Sequence, residues 1–298
     1  MSSAKLGRKG WVKIVLAEKI GFCFGVKRAI EMAQAALKKR GPIYSLGSII
    51  HNAQVVDDLS SKGLKVVKDI RGIKEGTIVI SSHGISPKIA ARISKQGLRL
   101  IDTTCPFVLN AQRIAKRLSD EGYAVVIVGD VNHPEVKALV DFVKHGVSVV
   151  KGKKEAARLR VRHSDRVSII SQTTQSTDNF LDVVKTIIEK RPKEIRIFNT
   201  ICKDAEERQG AARRLARRVD VMLTVGGKDS ANTKRLFEVC KEVLKRSFLV
   251  ESKNELRGKK FMPGYTIGIT SGASTPEWVV RQVVSKIKLK GKSKKAKV

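Results

Sequence analysis

The 298-residue sequence contains no run of 18 or more apolar residues, so no membrane-spanning helix is expected. Its opening, MSSAKLGRKGWVKIVLA, is basic, but the apolar part is too short for a secretory signal and reads as a strand. The expected compartment is the cytoplasm. Aromatic residues make up only 5% of the chain, and they do not interleave with basic residues as in an RNA-binding sheet. Cysteine is sparse too: Cys23, Cys105, Cys202 and Cys240, with no CxxC pair. That spacing excludes the disulfide framework of a small secreted domain. The largest shortage is of negative charge, with 28 Asp and Glu against 60 Lys and Arg and a net charge of +32.

A surplus of that size ordinarily points to nucleic acid. Here it is spread along the chain rather than gathered into a footprint. The exception is KIKLKGKSKKAKV at 286–298, where 7 of 13 residues are lysine and a solvated, disordered tail is expected. Nucleic acid is therefore not the expected ligand. A basic nucleic-acid-binding protein with a structural metal centre stands as the alternative reading. A basic surface also steers acidic partner proteins and anionic substrates. Hydrophobic residues make up 42% of the chain, enough for a folded protein with a sizeable core and two or three domains.

What is present occurs three times. VKIVLAEKIGFCFGVKRAIEMAQAAL, LRLIDTTCPFVLNAQRIAKRL and IRIFNTICKDAEERQGAARRLA each run from a strand through a cysteine into a helical pattern. Twenty-eight residues after each cysteine comes a polar residue at the end of the next strand: His51 (23+28), His133 (105+28) and Ser230 (202+28). TIVISSHGIS, VSIISQTTQS and TIGITSGAST then each lead from an apolar strand into a small polar loop. Ser86-Pro87 and Thr275-Pro276 read as helix starts, and Thr177 or Asp178 is the expected cap of the third. Equal spacing three times over marks a repeated supersecondary unit. Strands alternating with helices predict parallel sheets, and ligands then bind outside the strands' carboxyl ends. The expected divisions are 12–104, 105–201 and 202–288, with a lysine-rich tail at 289–298.

Converging those three edges would assemble three thiols, three histidines and several small polar side chains. Three thiolates suit either tetrahedral zinc, with a histidine as fourth ligand, or an iron–sulfur cluster. One thiol per unit, at separations of 82 (105−23) and 97 (202−105) residues, fits a large cluster better than a compact zinc site. Cys240, in RLFEVCKEVLKR, shares an apolar helix face with Leu236, Val243 and Leu244 and is expected in the core. His51, His83, His133, Thr173, Ser230, Asn232 and Ser274 are donors in loops near helix starts, where phosphate and diphosphate bind. His145 and His163 lie outside the repeated positions and are expected at the surface. Glu135 stands two residues after His133, where the other units carry Ala53 and Asn232. A carboxylate among anion donors is poorly suited to hold the anion and well suited to supply a proton.

GFCFGVKRAI, the HN at 51–52, the SHG at 82–84, DTTCP, NHPEV, QTT, NTIC followed by RQ, GGKDSANT and SGASTP together resemble the 4-hydroxy-3-methylbut-2-enyl diphosphate reductases, which close the non-mevalonate isoprenoid pathway. The resemblance covers roughly 12–285. It implies three pseudo-repeated α/β units with mainly parallel sheets, arranged as a trefoil around a central [4Fe–4S] cluster on Cys23, Cys105 and Cys202. It implies reductive removal of the substrate's allylic hydroxyl, bound at the open iron, to give isopentenyl and dimethylallyl diphosphates. His51, His83, His133, Ser230, Asn232 and Ser274 would hold the diphosphate, Thr173 would sit near the hydroxyl, and Glu135 would deliver protons. Ala231 stands where many relatives carry a second serine, so only a backbone contact could survive there. Apart from the resemblance, the net charge of +32 would steer an acidic electron donor such as a ferredoxin or flavodoxin.

Overall fold

The computed structural model describes residues 12–257 and 261–293. The chain forms two compact units, one of residues 23–206 and one of the segments before residue 23 and after residue 206.

Strand β1 (Lys13–Leu16) belongs to the second of these, where it pairs in parallel with β12 (Thr266–Ser271). The 23–206 unit then opens with α1 (Phe24–Leu37). There follow β2 (Ile43–Leu46), α2 (Ala53–Ser61), β3 (Leu64–Val67), β4 (Thr77–Ile80), α3 (Pro87–Lys95) and β5 (Arg99–Asp102). These four strands form a parallel sheet in the order β3-β2-β4-β5.

The succession then repeats within the same unit as α4 (Pro106–Asp120), β6 (Ala124–Val128), α5 (Pro134–Asp141), β7 (Val147–Val150), α6 (Lys153–Arg158), β8 (Arg166–Ser171), α7 (Thr177–Ile188) and β9 (Glu194–Ile197). The order is again β7-β6-β8-β9, all parallel. Strand β6 reads AVVIV without polar alternation because both its faces are covered. Val125 and Ile127 pack with Leu118, Tyr123 and Leu139, while Val126 and Val128 pack with Phe180, Val183 and Ile187. Each fully buried side chain of this size stabilises the fold by about 1.5–3 kcal/mol. Helix α7 is capped by Ser176, whose Oγ accepts the Asn179 N–H at 3.1 Å. That is one residue before Thr177 and two before Asp178, the expected caps, since a cap hydroxyl reaches the third amide beyond it.

Helix α8 (Lys203–Ala216) carries the chain into the other unit, which continues with β10 (Val221–Val225), α9 (Ala231–Val243), β11 (Ser247–Val250), a 3-10 turn at Lys253–Leu256, β12 and α10 (Glu277–Ser293). Its parallel sheet runs β11-β10-β12-β1, so β1 takes the place that β5 and β9 hold in theirs. The fold class is thus that of three α/β sheets of four strands each among the described residues. Division at residue 12 groups β1 with the residues that follow it, whereas its hydrogen bonds place it with residues 221–271. The reason is the free edge of β12, which only the strand preceding Cys23 completes.

Helix α10 extends through Ser293, so the expected tail is helical over 286–293. Val279, Val280, Val283 and Ile287 recur at helical spacing and are buried against Leu223 and Ile269. The remaining tail residues, 294–298, lie outside the described residues.

Candidate active site

Where strand order reverses in a parallel sheet, the loops leaving the two central strands open a crevice at their carboxyl ends. In the first sheet those strands are β2 and β4, and their loops carry His51 and residues 81–84. In the second they are β6 and β8, followed by His133 and Glu135 and by Thr173. In the third they are β10 and β12, followed by Ser230 and Asn232 and by Ser274. The cysteines instead follow the edge strands β1, β5 and β9.

Cys23 and Cys105 are the N-caps of α1 and α4, and Cys202 immediately precedes α8. Cys23 Sγ accepts the Val26 N–H at 3.4 Å, and Cys202 Sγ accepts the Ala205 N–H at 3.3 Å. Helix starts favour thiolate. Burial works against it and dominates, pushing the Cys202 thiol up to about 12 and raising that of Cys105 as well. Cys23 and Cys105 lie close enough to add to the rise at Cys202. Three half-buried thiols from three helix starts, two of which, Cys105 and Cys202, disfavour lone negative charge, form a soft donor set that a metal centre would convert to thiolate. The glycine two residues after Cys23 is explained by the same packing. A Cβ on Gly25 would lie 2.7 Å from Cys105 Sγ, so only glycine lets α1 approach that thiol. Arg28 Nη1, one turn further along α1, donates to the Thr104 carbonyl at 3.2 Å and ties the two loops together. Cys240 is fully buried with Leu236, Met222 and Ala212, as its helix face required.

His51, His83 and His133 come together from three loops. Their ring centroids are 4.7, 5.1 and 5.9 Å apart, and one nitrogen of each lies within 4.8 Å of the others. Burial first, then the neighbouring His51 and His133 rings, hold His83 well below the usual histidine range, so it is neutral at pH 7. His133 caps α5, its Nδ1 accepting the Glu135 N–H at 3.2 Å. That bond leaves Nε2 to carry the proton. A metal ligand would need the Nε2 lone pair, so His133 is set to donate toward an anion rather than to bind a cation. Ser81 Oγ, 3.2 Å from His83 Nδ1, orients the second ring; nothing in the sequence singled it out.

Glu135 is 1% exposed. Its carboxylate accepts the Thr173 N–H at 2.6 Å on one oxygen and the Thr173 hydroxyl at 2.8 Å on the other. Burial raises its pKa to about 7, against the opposing pull of those two bonds. The Thr173 carbonyl accepts the Cys202 N–H at 2.8 Å. One residue therefore touches both the carboxylate and the loop of the third cysteine.

In the other unit Ser230 caps α9, its Oγ accepting the Thr233 N–H at 3.3 Å. Ala231 is the first residue of that helix, so its N–H is free of an intrahelical partner by position. Asn232 is buried, and both its amide nitrogen and its oxygen lack a hydrogen-bond partner. Ser274 is buried on the loop after β12. The Ser230 and Ser274 loops converge within that unit: Cβ atoms on Gly226 and Gly272 would both collide with Thr233 Oγ1. Buried polar atoms left unsatisfied cost about 1–3 kcal/mol, which marks Asn232 as a residue awaiting a polar ligand. His163 is held at the surface by the Arg191 carbonyl at 2.9 Å, and His145 is exposed.

Residues 14–288 match the family described as LytB protein. A Geobacter sulfurreducens protein named 4-hydroxy-3-methylbut-2-enyl diphosphate reductase is 46% identical over 276 residues, spanning 93% of this chain and 97% of that protein. A Campylobacter hominis protein of the same name is 42% identical over 278 residues, 93% of this chain and 98% of its own. A solved structure of (E)-4-hydroxy-3-methyl-but-2-enyl diphosphate reductase, the terminal enzyme of the non-mevalonate pathway, is 40% identical with a TM-score of 0.66, covering 93% of this chain and 99% of that one. The Plasmodium falciparum E-1-hydroxy-2-methyl-but-2-enyl-4-diphosphate reductase structure has a TM-score of 0.85 at 27% identity, covering 93% and 87%.

Proposed function

The chain belongs to the LytB family, and from that premise we propose how its residues perform the reduction. The protein is a 4-hydroxy-3-methylbut-2-enyl diphosphate reductase, an oxidoreductase of the non-mevalonate isoprenoid pathway. The reaction breaks the allylic C–O bond, consumes two electrons and two protons, releases water, and leaves isopentenyl or dimethylallyl diphosphate. Cys23, Cys105 and Cys202 are the proposed ligands of a [4Fe–4S] cluster. That cluster, when bound, supplies the electrons and a Lewis-acidic iron for the hydroxyl. The observation that carries this reading is the thiol set itself: three half-buried sulfurs at helix starts, with Gly25 cleared to let Cys105 in.

The protein's own residues bind the substrate and manage its protons. His51, His83, His133, Ser230, Asn232 and Ser274 are the proposed diphosphate donors, and Ala231 would contribute its backbone N–H. Imidazole, amide and hydroxyl donors together offer a multiply charged anion several hydrogen bonds. Thr173 orients the Glu135 carboxyl and the substrate hydroxyl, and Glu135 supplies protons. Nucleic acid binding is not favoured, since the loops at the strand ends carry these donors rather than an aromatic platform. No helix among the described residues is long and apolar enough to cross a membrane, and the cytoplasm is the proposed location.

The surplus of positive charge favours an acidic electron donor such as a ferredoxin or flavodoxin. Anaerobically purified protein is expected to contain about four iron and four sulfide per chain and to turn over the allylic diphosphate with such a donor. The second-order rate of that reduction is expected to fall as salt screens the attraction. Metal-free protein with full activity would overturn the cluster. A salt-independent rate would overturn the charge-steered donor.

A further inference from the structure

A cavity of about 380 Å³ adjoins the histidine cluster within the 23–206 unit. His51 and His83 form part of its wall, and Ser48, Lys68 and Lys137 contribute from the loop after β2, the residue after β3, and α5. Both lysines are exposed, and neither pairs with a carboxylate among the described residues. The one carboxylate on the wall, Asp141, lies 3.8 Å from the Lys88 ammonium and is thereby offset. The cavity thus carries two uncompensated cations facing His51 and His83, the latter kept neutral by burial and by its neighbouring rings.

Unpaired lysines are ordinary on so basic a chain. What sets these two apart is concavity, because low-dielectric walls focus the field of charges at a cleft and raise the local concentration of counter-charged ligand. Both lie outside every motif that carries the family resemblance.

We infer that this cavity is an anion vestibule. Lys68 and Lys137 draw in the diphosphate head of the arriving substrate and present it to His51 and His83, which line both the vestibule and the histidine cluster. The inference rests on the reading of those histidines as diphosphate donors. The vestibule acts on capture, before any bond breaks, so it contributes to kcat/KM and not to kcat.

The test compares Lys68→Glu/Lys137→Glu with Lys38→Glu/Lys39→Glu, an equal charge change at exposed positions on the end of α1. Lys68→Gln/Lys137→Gln serves as a milder version should the glutamates perturb folding. Iron content and circular dichroism establish that each variant is intact. At low ionic strength, with a small-molecule reductant in place of the protein donor, the vestibule variant is expected to lose about tenfold in kcat/KM with kcat near wild type. The loss closes as salt approaches about 1 M, where the Debye length is about 3 Å. Inhibition by inorganic diphosphate weakens in parallel. Vestibule and control variants that behave alike in both assays, while His51→Ala still weakens substrate binding, overturn the vestibule alone. Unchanged substrate binding in His51→Ala overturns the reading beneath it.

Discussion

Serine at Cys23, Cys105 or Cys202 is expected to abolish both the visible iron–sulfur absorption and turnover, whereas Cys240→Ser retains both. A serine hydroxyl replaces a soft thiolate with a hard, weakly acidic oxygen, and each of the three sulfurs is the sole donor from its helix start. The loops are also held in place: Arg28 ties the Cys23 helix to the Cys105 loop through the Thr104 carbonyl, and the Cys202 N–H binds the Thr173 carbonyl. One lost thiol cannot be replaced by a neighbour sliding over. At Cys240 the penalty is of another kind. The side chain is fully buried, with the Thr224 hydroxyl 3.9 Å from its sulfur. A serine there buries a more polar group at a cost of about 1–3 kcal/mol, partly offset by pairing with Thr224. It lowers the melting temperature and leaves iron content alone. Iron and sulfide assays on the four variants decide the matter, and equal metal in all four would refute the assignment.

The same contrast shows what could be read from residue order. The three cysteines and the residues 28 positions later were legible because one supersecondary unit recurs, and its strand ends must point the same way. The cysteine positions relative to helix starts were legible too, since a helix begins where apolar spacing changes from two to nearly four. The partner of β1 was not. Nothing local tells an edge strand which sheet it completes, and β1 joins residues more than two hundred positions away. The start of α10 was legible at Thr275-Pro276, but its run past residue 286 was hidden by composition, because the lysines there mask a helical face that Ile287 continues from Val279 and Val283. Lys68 and Lys137 could not be singled out among 60 basic residues. Only their placement around a cavity distinguishes them. The environment of Glu135 was partly visible: its neighbour His133 marked the loop, but the Thr173 bonds come from the turn after β8, whose approach to Glu135 no spacing in the sequence shows.

Those bonds determine what Glu135→Gln should do. A glutamine in this pocket keeps the geometry, since its Oε1 can accept the Thr173 N–H and its amide can donate to the Thr173 hydroxyl. Shape, substrate affinity and cluster content are therefore expected to persist. What disappears is the exchangeable carboxyl proton. Cleaving the C–O bond without a proton releases hydroxide, and the electron-rich allyl group left behind needs a proton of its own. Losing a positioned donor costs about 10²–10⁴ in rate, or roughly 3–5 kcal/mol of barrier. The pH profile supplies a second signature. Burial lifts the Glu135 pKa to about 7 from the 4.5 of an ordinary glutamate, so the carboxyl keeps its proton well above the pH at which a solvated one would lose it. The acid form predominates below pH 7 and is depleted as pH rises through that value. Wild-type kcat/KM, which reports the free enzyme, should accordingly be level on the acid side and decline on the alkaline side, while the residual rate of the glutamine variant lacks that inflection. Substrate should still perturb the cluster's spectrum in the variant, separating failed chemistry from failed binding. Near-normal turnover of Glu135→Gln at saturating substrate would show instead that the carboxylate serves only to anchor Thr173 at the start of α5.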